Sequence, residues 1–333
     1  MKISQSKFNP KEFVEKQIEE IRSELGNKRA LVAVSGGVDS STSAALVHLA
    51  IGNNLLCVML DDAFMREGEP EKVAELVARP PLNLPVKVLN VRERFLEEMR
   101  ELRDAEEKRK VFRETFYRVL SETAHREDIQ YLVQGTILAD IVETAGGVKT
   151  QHNVLSQIGI SPKEHYGFHV VEPLKTLFKG QVREVARYIG LAKEIAERQP
   201  FPGPGLSVRV VGEIKRDKLE SLKKATALAE EKLAKHAPSQ YFAVILDNLK
   251  TLRSTQHSQI ESLTTEFLND SSKQVEVSVF EDKATGVREG NRVYGEIAAL
   301  KVLSSKGRVY QPSFRDLMSL QAKILSENLS FTR

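Results

Sequence analysis

Between residues 8 and 25 the apolar side chains Val14, Ile18, Ile21 and Leu25 recur at helical spacing in a polar stretch, with Phe13 beside them and Gly26 after them. That spacing predicts an amphipathic helix ended by the glycine. From Ala30 to Val34 nearly every position is apolar, the pattern of a short strand buried on both faces of a parallel sheet. A helix from about Ser40 to Ile51 follows, then a second buried strand from Leu55 to Leu60 that ends in Asp61-Asp62. Further along, helix is predicted over 69–79, a strand over 85–91 and charged helix over 92–125. Tyr131-Leu132-Val133 runs into Gln134-Gly135-Thr136 as another strand giving way to a loop. Phe168 to Glu172 predicts a short strand, with a helix from about Lys179 to Ile189.

Strands alternating with helices at this spacing predict a doubly wound α/β domain with a mostly parallel sheet. In such sheets ligands bind beyond the carboxyl ends of the strands, where SGGVDS, Asp61-Asp62 and QGTILAD all fall. The run Gln199-Pro200-Phe201-Pro202-Gly203-Pro204-Gly205 can continue neither a helix nor a central strand, and on its own reads as a linker. The expected division is therefore one domain over 1–200 and a smaller α+β domain over 206–333. Within the latter, 207–214 reads as a strand, 215–236 as a charged helix and 241–252 as strand-like. Residues 274–280 read as a strand, and 292–303 as either a strand or a helix.

Composition narrows the class. The 333 residues are 41% apolar and 29% charged, and 49 basic against 46 acidic residues leave only +3, too balanced for bulk nucleic-acid binding. The single cysteine, Cys57, excludes an intramolecular disulfide and fits a reducing compartment. No apolar run reaches 18 residues, and the N-terminal MKISQSKFNPKEFV lacks a signal peptide's apolar segment. A cytoplasmic protein without membrane association is expected.

The stretch LVAVSGGVDSST, residues 31–42, carries the first chemistry. Glycines directly after a buried strand let the backbone turn tightly, and the helix that follows points unpaired N–H groups into the loop. Ser35, Ser40, Ser41 and Thr42 add hydroxyl groups, making an anion-holding nest whose usual occupant is phosphate. No lysine follows the glycines as in the common ATPase loop, and the three-glycine dinucleotide spacing is absent.

SGGVDS resembles the pyrophosphate-binding loop of the N-type ATP pyrophosphatases, and more of the chain is similar to the synthetase domain of the GMP synthase family. The matching stretches are Gly68-Glu69-Pro70, residues 104–110 (DAEEKRK), Gln134-Gly135-Thr136 with Asp140 and Glu143, residues 149–154 (KTQHNV), and Glu172-Pro173-Leu174. They continue through RQPFPGPGLSVRVVGE at 198–213 to GVREGNRVYGEIAALKVLSS at 286–305. The resemblance spans about 25–305 and implies an adenine nucleotide alpha hydrolase-like fold with a C-terminal dimerisation domain, hence a homodimer.

It also implies a site. Ser35, Gly36, Gly37, Val38, Asp39, Ser40 and Ser41 would hold the phosphates of ATP that leave as pyrophosphate, with Val34 and Leu60 flanking the adenine and Gly135 closing the pocket. Asp39 and Asp140 would hold Mg²⁺, and Lys149 would meet charge developing at the α-phosphate, making Asp39, Asp140 and Lys149 the catalytic set. Lys108, Arg109, His152, Arg198, Pro202, Gly203, Pro204 and Arg209 would line the acceptor side. The implied reaction is amination of xanthosine monophosphate (XMP) to GMP through an adenyl-XMP intermediate. No cysteine-centred nucleophile elbow is present, so the ammonia is expected to come free or from a separate glutamine amidotransferase subunit.

Three departures from the family pattern stand out. Asp61-Asp62-Ala63 replaces Asp-Thr-Gly, Gln151 replaces a usual histidine, and Glu327 to Arg333 replaces an ending that resembles Lys-Pro-Pro-Ala-Thr-Ile-Glu-Trp-Glu. Two other readings therefore stay open: an ATP pyrophosphatase that adenylates another nucleotide, nucleobase or RNA, and a non-catalytic nucleotide-binding subunit.

Overall fold

The computed structural model describes residues 8–145, 160–198, 201–236, 238, 241–246, 255–269, 273–288, 291–304, 306–310, 312–327 and 330–332. Asn9 opens the first helix, α1 (Pro10–Leu25), its side chain accepting the N–H groups of Lys11 at 3.1 Å and Glu12 at 3.4 Å. Pro10 stands in the first turn, where its missing N–H costs nothing, and Gly26 ends the helix with its N–H on the Arg22 carbonyl. The apolar stripe buries Val14, Ile21 and Leu25.

Five parallel strands follow the predicted runs: β1 (Ala30–Ala33), β2 (Leu55–Asp61), β3 (Val86–Asn90), β4 (Tyr131–Val133) and β5 (His169–Val171). Their order is β3-β2-β1-β4-β5, so the direction of winding reverses between β1 and β4. In an open α/β sheet that reversal opens a crevice at the strands' carboxyl ends. Alternation along the strands supplies two cores. Ala30, Val32, Cys57, Met59 and Val133 face one side, beneath α1, α2 (Val38–Ile51), α3 (Glu69–Ala78), α8 (Lys179–Tyr188) and α9 (Lys193–Ala196). Leu31, Val58, Leu60 and Leu132 face the other, against α4 (Arg92–Glu98), α5 (Ala105–Arg126) and α10 (Arg216–Leu233). Two short helices, α6 (Leu138–Ala145) and α7 (Pro162–Tyr166), lie between β4 and β5.

The charged stretch 92–125 is divided into two helices, α4 and α5. Glu101 adopts positive φ (65°), and Asp104 caps a new start by accepting the N–H groups of Glu106 at 2.8 Å and Glu107 at 3.0 Å. The strand expected over 207–214 is corrected. Residues Gly205–Val208 form a 3₁₀ turn, and beyond it only Val210 pairs, in an isolated bridge to Ile245. Pro204 opens this turn and its carbonyl accepts the Ser207 hydroxyl at 2.6 Å. The carbonyls of Val210 and Gly212 are taken by the Lys108 ammonium instead of a neighbouring strand.

Leu206, Val210, Leu219 and Leu222 pack into the sheet's second core, so the chain just past PFPGPGL is continuous with the first domain. A separate small core of Ile260, Val279, Leu320, Ile324 and Phe331 joins α11 (Thr255–Leu268) and α12 (Phe314–Glu327) to a long antiparallel hairpin. Its strands are β6 (Gln274–Arg288) and β7 (Asn291–Leu303), which resolves 292–303 as strand, and a bulge falls between Phe280 and Lys283. The hairpin meets the first domain where the Ala105 N–H donates to the Tyr294 hydroxyl at 2.8 Å.

Just after β2, Ala63 holds φ +74°, a conformation that disfavours any residue with a Cβ. Ala63→Gly is expected to raise stability by about 1 kcal/mol in urea denaturation, the relief of left-handed strain exceeding the added freedom of the unfolded chain.

Candidate active site

Val34 extends β1 by one hydrogen bond, its N–H donating to the Val58 carbonyl at 2.8 Å, and the chain then turns through Ser35-Gly36-Gly37 into α2. Gly37 is the N-cap and no side chain caps the helix, so the positive end of its dipole faces the loop. Ser35 and Ser40 brace the turn. Their hydroxyls lie 2.8 Å apart, and the Ser35 N–H donates to Ser40 Oγ at 3.1 Å. Ser41 is fully enclosed instead, its Oγ without a hydrogen-bond partner, so Ser40 is the hydroxyl in contact with the loop. Val34 and Leu60 are buried at the ends of adjacent strands.

The loop after β4 presses on the same helix end. A Cβ at Gly135 would come within 2.8 Å of the Ser40 nitrogen and 2.9 Å of the Asp39 carbonyl carbon, so only glycine fits that approach. Gln134 is fixed below it, donating to the Tyr117 hydroxyl at 2.6 Å, and burial pushes that phenol's pKa up. Asp140 stands in the first turn of α6, where a carboxylate complements the dipole, and its Oδ2 accepts the Ile137 N–H at 3.0 Å. Lys149 and His152 lie outside the described residues.

Asp39 makes an ion pair that the sequence did not disclose. Lys179, in the first turn of α8, places Nζ 2.5 Å from Asp39 Oδ2 across 140 positions of chain. The other oxygen, Oδ1, is buried without a hydrogen-bond partner. A lysine directly after the short strand β5 and its loop was the available signal, since that strand ends at the same edge as β1.

In the PFPGPGL segment, Gly205 holds φ +60° and touches the Phe64 carbonyl so closely that a Cβ could not be inserted, while the Leu206 N–H donates to that carbonyl at 2.7 Å. The Pro202 carbonyl accepts the Gly205 N–H at 2.9 Å, which makes Pro202, Gly203 and Pro204 a tight turn rather than a free linker. Phe201 meets two cations: the Arg66 guanidinium lies 4.1 Å and the Arg209 guanidinium 4.8 Å from its ring centre, and Arg209 also stacks on Phe242 at 4.8 Å. Burial and the nearby Arg66 lower the Arg209 pKa to about 10.

Three residues assigned to the acceptor side have other partners. Lys108 is buried, its ammonium donating to the carbonyls of Val210 (2.7 Å) and Gly212, and desolvation lowers its pKa to about 8. Arg109 pairs with Glu106 one turn earlier at 2.5 Å. Arg198 points at the phosphate loop, donating to the Gly36 carbonyl at 3.1 Å and pairing with Glu69.

Among the described residues no group of three or more His, Cys, Asp or Glu side chains is gathered for a metal. A cation held by all-protein ligands is therefore not what these residues fit. A Mg²⁺ ion completed by substrate phosphates and water needs only one or two carboxylates. The buried, unpartnered Asp39 Oδ1 suits it. No helix among the described residues is long and apolar enough to cross a membrane.

A family model described as NAD synthase matches residues 10–207, the part of the chain that holds the parallel sheet, and this defines the class: an N-type ATP pyrophosphatase. Relatives cover more. A glutamine-hydrolyzing GMP synthase subunit of Sulfurisphaera tokodaii is 41% identical over 97% of this chain and 80% of its own length. The protein of the same name from Methanopyrus kandleri is 41% identical over 98% and 95%. That from Archaeoglobus fulgidus is 40% identical over 88% and 83%. The chain belongs to this family of glutamine-hydrolyzing GMP synthase subunits.

Gly135→Ala is expected to destabilise the protein by about 1–3 kcal/mol through overpacking against backbone that cannot yield, measured by denaturant titration. Asp62 yields a pH prediction. Its carboxyl accepts the Phe64 N–H at 2.8 Å, and burial raises its pKa from 3.8 to about 7. The folded state thus binds the proton more tightly than the unfolded state, so its stabilising effect is complete below pH 3.8 and lost as pH rises through about 7. Asp62→Asn keeps the acceptor oxygen. Its stability gain over the parent should grow across that window and stay constant above it, read from denaturation midpoints at a series of pH values.

Proposed function

We propose that the chain catalyses ATP-dependent amination of XMP to GMP, releasing AMP and pyrophosphate, with ammonia delivered by a separate glutamine amidotransferase subunit. The observation that carries this reading is the uncapped start of α2 behind Ser35-Gly36-Gly37, with Asp39 held by Lys179 and one of its carboxylate oxygens left free. Membership in a family whose relatives are named as subunits of a glutamine-hydrolyzing GMP synthase supports the acceptor and the separate amidotransferase.

In this reading the N–H groups of the loop and of the first turn of α2 hold the β- and γ-phosphates, with Ser35 and Ser40 as hydroxyl donors. Asp39 and Asp140 would hold Mg²⁺, which when bound neutralises phosphate charge. Val34 and Leu60 flank the adenine, and Gly135 closes that side. The O2 oxygen of XMP attacks the α-phosphorus, and the bond to the bridging oxygen breaks with pyrophosphate as the leaving group. Lys149 meets the negative charge on the α-phosphate oxygens as they pass through the transition state. Ammonia then attacks C2 of the purine, loses a proton, and AMP departs with the former O2. The turn Pro202-Gly203-Pro204, with Phe201 and Arg209, forms the wall against which the purine nucleotide sits, and His152 is read as a further contact to that nucleotide. The residues beyond 255 form the dimerisation unit of a homodimer.

The test is direct. With ATP, Mg²⁺, XMP and ammonium the chain should release pyrophosphate and GMP in equal amounts. Glutamine should replace ammonium only when a glutaminase subunit is added. Lys149→Met should lower turnover by about 10²–10³-fold, the loss typical of one charge-stabilising donor, with the thermal midpoint unchanged. Pyrophosphate release confined to a different acceptor would refute XMP, and no release with any purine nucleotide would refute the ligase reading.

A further inference from the structure

Behind the phosphate loop runs an unbroken series of polar contacts. Gly36 is in left-handed backbone, φ +74°, and its carbonyl accepts Arg198 Nη1 at 3.1 Å. A Cβ at Gly36 would come within 2.7 Å of that same nitrogen, so the guanidinium fills the space directly against the turn. The other arm of Arg198, Nη2, pairs with Glu69 Oε1. Glu69 is only 4% exposed, and its second oxygen accepts the Arg66 N–H at 2.8 Å. A carboxylate enclosed that far needs its partners, because removing one leaves a buried charge unpaired.

Arg66 carries the series onward. Its Nη1 lies 3.5 Å from Glu69 Oε1 and its Nε 2.5 Å from Glu230 on α10, while its guanidinium plane covers the Phe201 ring at 4.1 Å. Phe201 is the second residue of PFPGPGL and carries Arg209 as well. The Gly36 carbonyl is thereby joined through Arg198, Glu69 and Arg66 to the wall over 201–209. Both arms of Arg198 are occupied in this arrangement, one on the loop and one on Glu69. A lysine's compact ammonium lacks the planar fork that reaches the loop carbonyl with one arm and Glu69 with the other.

We propose that Arg198, Glu69 and Arg66 are positioning residues that set the shape of the phosphate loop according to the position of the Phe201 wall, so that the acceptor side governs the readiness of the ATP side. This rests on the loop being the pyrophosphate-holding part of an ATP site. Arg198 acts through Gly36 rather than on the acceptor nucleotide, and Phe201 acts on the loop without touching it.

The experiment is calorimetric binding of inorganic pyrophosphate with Mg²⁺ to the full chain, with thermal midpoints as the control for folding. Arg198→Lys and Glu69→Gln should each weaken binding about ten- to hundredfold, as loss of an orienting partner does elsewhere. The double variant should be no weaker than the worse single one, because the two act as a unit. Phe201→Leu, remote from the loop, should weaken binding about threefold, within the range of energetic coupling through packed side chains. Should Arg198→Lys fail to fold, Arg66→Lys removes the link to Phe201 while keeping the Arg198–Glu69 pair, and should reproduce the Phe201→Leu effect. Parent-like binding by Phe201→Leu or by Arg66→Lys, at unchanged midpoints, overturns the relay. Failure of the parent chain itself to bind pyrophosphate overturns the reading of the loop, an outcome distinct from a parent that binds with variants that bind equally well.

Discussion

The close approach of Gly135 to the first turn of α2 is the contact on which the site depends. It joins the ends of β1 and β4, the two neighbouring strands between which the winding of the sheet reverses. Parallel strands deliver all their carboxyl ends to one edge, and the reversal leaves a crevice there that no crossover helix covers. With backbone against backbone at Gly135, the loop that leads into α6 and its Asp140 is drawn up to the helix start that carries Asp39. From the next strand, β5, the chain then leads into α8, which brings Lys179 onto Asp39.

Charge at this edge is handled by pairing. Asp39 with Lys179, Asp61 with Arg92 at 2.7 Å, and Glu69 with Arg66 and Arg198 each set a partly or fully buried carboxylate against a cation. Such pairs return little net stability once desolvation is counted, but they hold loops at defined spacing. Asp62 is the exception: it has no cationic partner among the described residues, and burial, with the like charges of Asp61 and Glu69 adding to it, raises its pKa to about 7. Two cationic side chains stacked on one ring at Phe201 continue the pattern, with the aromatic ring taking the place of a carboxylate.

Much of this was legible along the chain. The five strands announced themselves as apolar runs, and SGGVDS, QGT and PFPGPGL marked three places where backbone must turn tightly. The differences have local causes. Val208, Val210 and Val211 look like a strand, but Pro204 and Gly205 wind the chain into a 3₁₀ turn and Lys108 occupies carbonyls that a ladder would need. The charged run 92–125 hides a break because Asp104, which reads as one more acidic residue, is a cap. Lys108, which the family resemblance sets among the acceptor contacts, instead has its ammonium enclosed against backbone carbonyls.

The elements and the chemistry of each loop could be read without coordinates, because strand burial, helix starts and glycine turns depend on residues within a few positions of one another. Which side chains meet could not. Lys179 with Asp39, Arg198 with Gly36 and Glu69, Arg66 with Phe201, and Lys108 with the carbonyls of Val210 and Gly212 all bridge segments more than 100 positions apart. Only the order of strands in the sheet and the docking of its loops bring such segments together. A long, flexible cation has no preferred partner until packing removes the water that would otherwise solvate it.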